Sequence, residues 1–548
     1  MREYRRALEL RQRLGDRLGE AVTANNLGHA LHLRGRYDEA AAFLDRALAL
    51  WKPGEDSTQQ AQTLINRGYL HLDLGETDRA RERFREAWWL SRQAKDRDGK
   101  ATALNALGSL ELDIGQPAAA LRPFQASLRL RQPGSRGWAV SRTALGVAYR
   151  QLGRMEDARR AYADALPIFH DLGETRYEAV CLGNLGWLEV AAGDNDAALG
   201  HLDAALALFQ SLAIPSEIAR SLEGKARVLR HRGDLKGARQ LMEDALAAIE
   251  RHRVSQTSDT TRAEFFSTQQ DSYSLQIDLL MDMHREAEAL EVNERSLARS
   301  LLDRLGRARA GGRRYAALTQ PRSRSAAEIQ RGLLDRDTLL LEYRLGEERS
   351  FLWAVAPDSL RAFVLPGRAE IETVAGPACD LLARSFDHTA EISASMKLDK
   401  LSPMLLGPVA PLLPGKRLLA VGDGILRNLP FAALLEPGTG EPLVARHEIV
   451  ALPSVSVLGE IRSAIAGRPR APKELWVLAN PELAGTDEPL PHAEEEAAAI
   501  LALAPAAGRF AVQGRQATRA AVLTGGLRDY RFLHFATHGS FTANDPDG

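Results

Sequence analysis

The first 250 residues repeat a helical pattern of small, apolar and polar positions at a nearly constant interval. Each regular copy contains a glycine that is followed seven positions later by a second glycine. The first glycines of successive copies lie 38 or 40 residues apart, and a looser sixth copy begins at Gly224. The five regular copies begin at Gly28, Gly68, Gly108, Gly146 and Gly186. A fixed period in this range is typical of a solenoid of stacked structural units.

Each copy predicts a pair of helices. The first helix carries Leu-Gly, as in Leu27-Gly28, and the glycine allows a neighbouring helix to approach closely. A turn such as GRYDEA (35–40) follows. The second helix then places an alanine, a bulky residue and another alanine at offsets of four and seven, as in Ala40, Leu44 and Ala47. These offsets lie on one helical face, which we expect to pack on the first helix and on the next copy.

The pattern changes to that of strands from about residue 335. Three short apolar runs separated by turn residues predict a small meander at a sheet edge. They are 338–345, 350–356 and 361–366. Nearly continuous apolar runs then alternate with helical segments, which predicts a mostly parallel sheet flanked by helices on both faces. The apolar runs are 417–424, 447–453, 474–481 and 531–539.

Between these halves, residues 251–315 have a helical pattern, and 306–328 is rich in Arg, Gly and Ser. The latter run could contact RNA or an acidic partner, but we interpret it as a solvated linker. The predicted organisation is therefore multidomain. It comprises an all-α solenoid over 1–250, a helical connector over 251–310, a linker over 311–330 and an α/β domain over 331–548.

Composition narrows the class of protein. The 548-residue chain has 45% hydrophobic and 26% charged residues and a net charge of −1, so neither nucleic acid nor an anionic membrane is expected as its main partner. Its two cysteines cannot build a disulfide framework, which favours a reducing, cytoplasmic location. The charged N-terminus does not resemble a signal peptide. No apolar run approaches the ~18 residues of a membrane span.

The repeats resemble the tetratricopeptide repeat (TPR), in a version of about 40 residues in place of the standard ~34. Tyr4 and Ala7 match the tail of a second helix, so the chain is expected to begin inside a repeat. The resemblance implies a superhelix whose concave groove binds a protein or peptide ligand; a purely structural spacer is the alternative. Cys181, within EAVCLGNLGWL, is interpreted as a packed core residue.

Four motifs in the second half, in this order, resemble the CHAT domain, a caspase-like and separase-like cysteine peptidase domain commonly found behind TPR arrays. They are DGILRNLPFAALL (423–435), ALPSVSVL (451–458), ANPELAG with LPHAEEE (479–496) and HFATHG (534–539). LARSLLDRL (297–305) resembles the helix that usually leads into that domain. The resemblance implies a caspase-like α/β fold and a protein substrate.

The CHAT resemblance also implies a Cys–His dyad, in which a thiolate attacks the peptide carbonyl and the imidazole transfers the proton. The family's histidine maps onto His538, and Gly539 maps onto the backbone that holds the oxyanion. His534, inside the strand, is interpreted as a packed, hydrogen-bonded histidine. In the family the cysteine follows the next strand, and Cys379 matches no such position, so we interpret it as a packed thiol.

The chain is therefore expected to be a fragment: its α/β domain is incomplete at the C-terminus, lacks the nucleophile, exposes a sheet edge and is inactive. No zinc spacing, P-loop or Rossmann fingerprint occurs, so no metal and no cofactor are predicted. The predicted function of the parent protein is a TPR-regulated cysteine endopeptidase. A non-catalytic TPR/CHAT scaffold is the alternative, and a signalling receptor with a nucleic-acid-linked partner is a third hypothesis without support from the charge.

Overall fold

The computed structural model describes residues 2–52, 55–255, 270–297, 323–382, 388–466, 469–481 and 492–537. The chain forms two compact units, Met1–Glu460 and Ile461–Gly548, and each is considered by itself. None of the helices in the described ranges combines enough length with enough apolar character to traverse a lipid bilayer.

The first unit begins with a run of helices joined by tight turns, which confirms the predicted all-α solenoid. The helices are α1 (Arg2–Leu14), α2 (Arg17–His32), α3 (Tyr37–Leu50), α4 (Ser57–Asp73), α5 (Thr77–Gln93), α6 (Arg97–Asp113), α7 (Pro117–Leu130), α8 (Arg136–Gln151), α9 (Met155–Asp171), α10 (Thr175–Ala192), α11 (Asn195–Ser211), α12 (Pro215–His231) and α13 (Leu235–Ser255). From α2 onward they form six antiparallel pairs, and each second helix also packs on the next first helix.

The repeated glycine of the first helix marks the closest approach within a pair. A Cβ added at Gly108 would lie 2.5 Å from Cε1 of Phe124, which is fully buried on α7. Successive first helices also pack on one another, whereas no comparable packing joins the described second helices. The array therefore curves with its first helices on the concave side.

In the described part of the connection between the solenoid and the first sheet there are three helices: α14 (Gln270–Asp282), α15 (286–297) and α16 (Ala326–Gly332). α16 begins within the segment 311–330, whose last five residues are helical. Ser325 and Glu328 form a capping box at its start, and Ile329 is buried. The Ser-x-x-Glu spacing of a capping box was a readable signal for this helix.

The first sheet has five strands in the order β3-β2-β1-β4-β5, with β1–β2–β3 as an antiparallel meander and parallel pairs β1–β4 and β4–β5. Its elements are β1 (Thr338–Arg344), β2 (Arg349–Ala356), β3 (Ser359–Pro366), α17 (Arg368–Leu382), α18 (His388–Leu406), β4 (Arg417–Val421), β5 (Ile449–Leu452) and α19 (Val455–Ile465). Every residue of β1 is buried, because both faces of the sheet are covered.

The described residues of the second sheet form three parallel strands in the order β7-β6-β8. Its elements are β6 (Lys473–Ala479), α20 (Ala493–Ala502), β7 (Arg509–Gln513), α21 (Arg519–Thr524) and β8 (Tyr530–Ala536). The sequence analysis missed β7, whose Val512 is its single buried residue and whose apolar signal is therefore weak. Hydrogen bonding among the described strands thus forms two sheets, and most of their pairings are parallel, as predicted.

Candidate functional site

The predicted catalytic residues His538 and Gly539 lie outside the described residues. The strand that leads to them is described: β8 ends at Ala536, two residues before His538. β8 is parallel to β6, and the amide of Asn480 just beyond β6 donates to the carbonyl of Ala536 at 2.9 Å. The carboxyl ends of both strands therefore meet at one edge, where open α/β sheets carry their sites.

Polar side chains from the third resembling motif converge on this edge. Asn480 adopts a left-handed conformation (φ 51°), and its Nδ2 donates to Glu494 Oε1 at 3.2 Å. Glu494 and the two glutamates after it form the first turn of α20, where negative charge favours a helix N-terminus. His534 Nε2 lies 3.2 Å from Glu496 Oε1. His534 is about a quarter exposed, and its Nε2 has no hydrogen-bond partner among the described residues.

Neither cysteine has the surroundings of an activated thiol. Cys181 is fully buried, its Sγ donates to the carbonyl of Tyr162 at 3.3 Å, and burial raises its pKa to about 12. Cys379 lies on α17 and packs against the core beneath the first sheet. Burial, and secondarily the charge of Asp380, raises the pKa of the Cys379 thiol. Because the thiolate is the nucleophile, both residues are in the inert form near neutral pH.

The second resembling motif contains the start of α19, which a buried carboxylate from the connector caps. Glu294 on α15 accepts hydrogen bonds from the amides of Val455 at 3.0 Å and Ser456 at 2.8 Å, and from Ser454 Oγ at 3.1 Å. Glu294 is fully buried. A carboxylate at a helix N-terminus satisfies orphan amides and complements the helix dipole. The connector is thereby joined directly to the end of the first sheet.

A second buried carboxyl lies beside this cap. Glu342 on β1 is fully buried, and Asn293 Nδ2 donates to its Oε1 at 2.8 Å. Burial, and then the neighbouring charge of Glu294, raises the pKa of Glu342 well above its ordinary value. The surroundings of Glu342 therefore favour its protonated form.

The first resembling motif starts at Asp423, which is buried at the end of β4. Its Oδ2 accepts from the amide of Leu345 at 3.0 Å and lies 3.8 Å from Arg344 Nε. The Arg344 guanidinium, 2% exposed, also donates to Ser274 Oγ at 2.7 Å and to the Gln270 carbonyl at 3.0 Å. The motif therefore also anchors the connector helix α14 to β1 and β4.

A chain of ion pairs runs from the last repeat through the connector to the sheet. Arg230 on α12 contacts Asp282 Oδ2 at 2.8 Å, and Arg349 on β2 contacts Asp282 Oδ1 at 2.5 Å. Arg349 also pairs with Asp278 at 3.1 Å. Asp282 thus bridges the solenoid and the first sheet through one side chain.

A cavity of about 360 Å³ lies where the last repeat meets the connector. Its lining is mostly charged and includes Glu243, Glu288, Glu291, Arg295 and Arg324. None of the predicted site residues lines it. Among the described residues there is no cluster of His, Cys, Asp and Glu suited to hold a metal ion.

The sequence analysis missed the buried polar residues that join connector and sheet. One signal was available: Glu342 and Arg344 interrupt the apolar run TLLLEYRL, and charged residues are seldom fully buried without partners. Glu294 carried no such signal, because a glutamate in a helix normally faces solvent. Its role depends on a segment that begins 160 residues later in the sequence.

Comparison with known families supports these features. The fold and the strand edge define a helical-repeat protein with an attached α/β domain. The CHAT domain matches residues 396–548, and two tetratricopeptide repeat families match segments that together extend from 2 to 251. The matched segments are 2–52, 21–88, 59–132 and 139–211 for one, and 105–171 and 184–251 for the other. The chain therefore has a TPR–CHAT architecture, as its motifs predicted.

No curated protein sequence matches the chain significantly. Among solved structures, BtubC (BKLC) from P. vanneervenii is 20% identical, with a TM-score of 0.33, covering 40% of this chain and 89% of that one. Aspartyl phosphate phosphatase F from Bacillus subtilis is 12% identical, with a TM-score of 0.38, covering 53% and 73%. A Rap protein complexed with competence and sporulation factor is 12% identical, with a TM-score of 0.35, covering 48% and 76%.

Proposed function

We propose that this chain is the TPR-bearing part of a cysteine endopeptidase of the caspase-like and separase-like CHAT type. The observation that carries the proposal is the parallel strand β8, which ends two residues before His538 at the carboxyl edge of its sheet. A histidine at that edge is suited to general-base chemistry, because its ordinary pKa lies near neutrality. The CHAT family match, which includes residue 538, supports the same assignment.

In this mechanism His538 takes the proton of a cysteine thiol, and the resulting thiolate attacks the peptide carbonyl. The backbone at Gly539 contributes to the oxyanion site. His538 then returns the proton to the leaving amine, and water releases the acyl group. Cys181 and Cys379 are both packed thiols with raised pKa, so the nucleophile is assigned to polypeptide outside residues 1–548. Chain 1–548 alone is expected to be inactive.

Regulation is assigned to the solenoid, whose concave side is suited to a protein or peptide ligand. The last repeat, the connector and one face of the first sheet share a continuous apolar core. The Asp282 bridge adds a polar connection along the same path. A ligand that alters the last repeats is therefore expected to alter the packing under the CHAT motifs at Asp423 and Ser454.

The test is to express the native open reading frame that contains residues 1–548 and to measure cleavage of a proteome-derived peptide library by mass spectrometry. We expect His538→Ala to lower the rate about a hundredfold or more, because it removes the general base. Cys379→Ala and His492→Ala should retain the activity. His492 is a suitable control because its side chain is 79% exposed on the same unit.

Cleavage by chain 1–548 that depends on Cys379 would overturn the assignment of the nucleophile. An unchanged rate in His538→Ala would overturn the role of His538. Absence of cleavage by the native product, together with stable capture of a protein partner by the solenoid, would favour the non-catalytic scaffold. The packed state of both described thiols is the observation consistent with that second function.

A further inference from the structure

Two arginines and a tryptophan form a cluster on the concave side of the last two repeats. Arg220, Gly224 and Arg227 lie on one face of α12, since offsets of four and seven repeat along a helix. Trp187 of α10 lies against Gly224, where an added Cβ would be 3.4 Å from its Cε2. The guanidinium carbons of Arg220 and Arg227 lie 5.9 and 5.6 Å from the indole centroid. One aromatic ring therefore holds two cations in adjacent positions.

Neighbouring polar groups orient both guanidinium groups without covering them. Arg220 Nη2 donates to Asn184 Oδ1 at 3.0 Å, and its Nη1 lies 3.6 Å from Glu217 Oε2. Arg227 Nε and Nη2 donate to Glu223 Oε1 at 3.2 and 2.9 Å. Each arginine side chain nevertheless remains 38% exposed.

The carboxylate beside Arg227 pairs with that arginine through one oxygen and with the connector through the other. Glu223 is only 8% exposed, and its Oε2 accepts from Ser272 Oγ on the connector at 2.8 Å. The hydrogen bonds described above use only part of the five N–H donors of each guanidinium group, and both groups are partly exposed.

A third arginine adds to the positive charge of this region. Arg150 at the end of α8 and Arg220 both lie close enough to Tyr162 to oppose the effect of burial, which raises the pKa of that phenol to about 12. Within the solenoid, repeats four to six thus bring Arg150 and Arg220 near one phenol, and Glu217 and Glu223 are the carboxylates that lie beside Arg220 and Arg227. An anionic ligand is favoured there by charge.

We propose that the cluster of Asn184, Trp187, Arg220 and Arg227 binds an acidic segment of the protein partner. Carboxylates match the planar donor fork of a guanidinium, and charge-assisted pairs of this type are stronger than neutral hydrogen bonds. The indole ring holds the guanidinium groups of Arg220 and Arg227 in place at the groove. This limits the side-chain entropy that the two arginines lose on binding. This inference rests on the partner-binding half of the proposed function and adds the chemistry of the partner.

The test uses the full chain 1–548 and fluorescein-labelled peptides of equal length rich in glutamate, lysine or serine, with binding measured by fluorescence anisotropy. We expect the glutamate-rich peptide to bind about tenfold or more tightly than the serine-rich one, with an affinity that falls as salt rises. Arg220→Ala/Arg227→Ala should remove that preference, and Trp187→Ala should weaken it. The matched control is Arg85→Ala/Arg160→Ala, which removes two exposed arginines from the second helices α5 and α9.

Equal binding of all three peptides, or loss of the preference in the control variant, would overturn the proposal. If serine- or lysine-rich peptides bind and depend on Trp187, the solenoid still binds peptides but the acidic class is wrong. If no peptide binds, the partner-binding function fails as well. Displacement of the glutamate-rich peptide by single-stranded RNA, with the same dependence on Arg220 and Arg227, would assign the cluster to a phosphate ligand and overturn the acidic segment.

Discussion

The buried carboxyl of Glu342 shows how one residue's surroundings determine its chemistry. β1 places this side chain between a hydrogen-bond donor, Asn293, and a second carboxylate, Glu294. Burial, and then the charge of Glu294, raises the pKa of Glu342, so its surroundings favour the protonated form.

Replacing Glu342 by Gln should make thermal stability less dependent on pH. The folded state holds the Glu342 proton more tightly than the unfolded chain does. Its stabilising contribution is therefore complete below the ordinary pKa of 4.5 and is lost as pH rises through the higher folded value. Gln keeps an acceptor for Asn293 and cannot ionise. Calorimetric melting temperatures between mildly acidic and alkaline pH should fall less steeply in Glu342→Gln than in the wild type.

Glu348→Gln is the control, because Glu348 is exposed in the turn between β1 and β2. It should leave the pH profile unchanged. If the melting temperature depends on pH equally in the wild type and in Glu342→Gln, the raised pKa of Glu342 is contradicted.

At the scale of the element, the close packing of each helix pair depends on a glycine in the first helix. A large side chain of the second helix packs directly against that glycine. Gly108 faces Phe124, and Gly146 faces Tyr162 in the same way. The added Cβ would lie 2.5 Å from an aromatic carbon in both pairs. This contact sets the spacing of the two helices, and therefore the register with which the next repeat stacks.

Gly108→Ala should destabilise the solenoid by about 1–3 kcal/mol, because the new methyl group overlaps a fully buried ring. Gly200→Ala is the matched control, since Gly200 lies in α11 with no atom within 4 Å of an added Cβ. It should stabilise by about 0.5–1 kcal/mol through helix propensity. Urea titrations followed by circular dichroism measure both changes. A neutral or stabilising Gly108→Ala would contradict the close approach.

At the scale of the whole molecule, the last repeat and the first sheet contribute to the same apolar core. One apolar core includes the last repeat, the connector helices and alternate residues of β1, β2 and β4. The intervening residues of the same strands face a second core that α17 and α18 cover. A perturbation in the connector should therefore spread in both directions along the first unit.

Leu279→Ala should cost about 2–5 kcal/mol, since Leu279 is fully buried in the connector. Hydrogen exchange should accelerate together in α12, α13, β1 and β2. Leu44→Ala removes an equally buried leucine from the separate core of the first repeats. Its effect should remain within α1–α4, because repeat units contact only their neighbours. Faster exchange confined to α14 in Leu279→Ala would contradict a shared core.

Periodic patterns explain why so much of the fold was predictable. The solenoid's helices follow local rules, so the spacing of Gly28, Gly68 and Gly108 was enough to predict them. The apolar runs of β1, β4 and β6 predicted strands, because a strand buried on both faces tolerates few polar residues. β7 was not predicted, because it is short and mostly exposed and therefore lacks a continuous apolar run. The domain boundaries, His538 and Gly539 remain predictions.

The sequence by itself determined the repeat architecture, the mostly parallel α/β half and the CHAT motifs, because each depends on residues close together in the chain. Only the tertiary structure decided that Glu294 caps α19, that Asp282 joins Arg230 to Arg349, and that Trp187 lies between Arg220 and Arg227. Their partners lie from tens to more than a hundred residues away. A charged residue in a helix has the same local pattern whether it faces water or a buried partner, so the fold must supply that distinction.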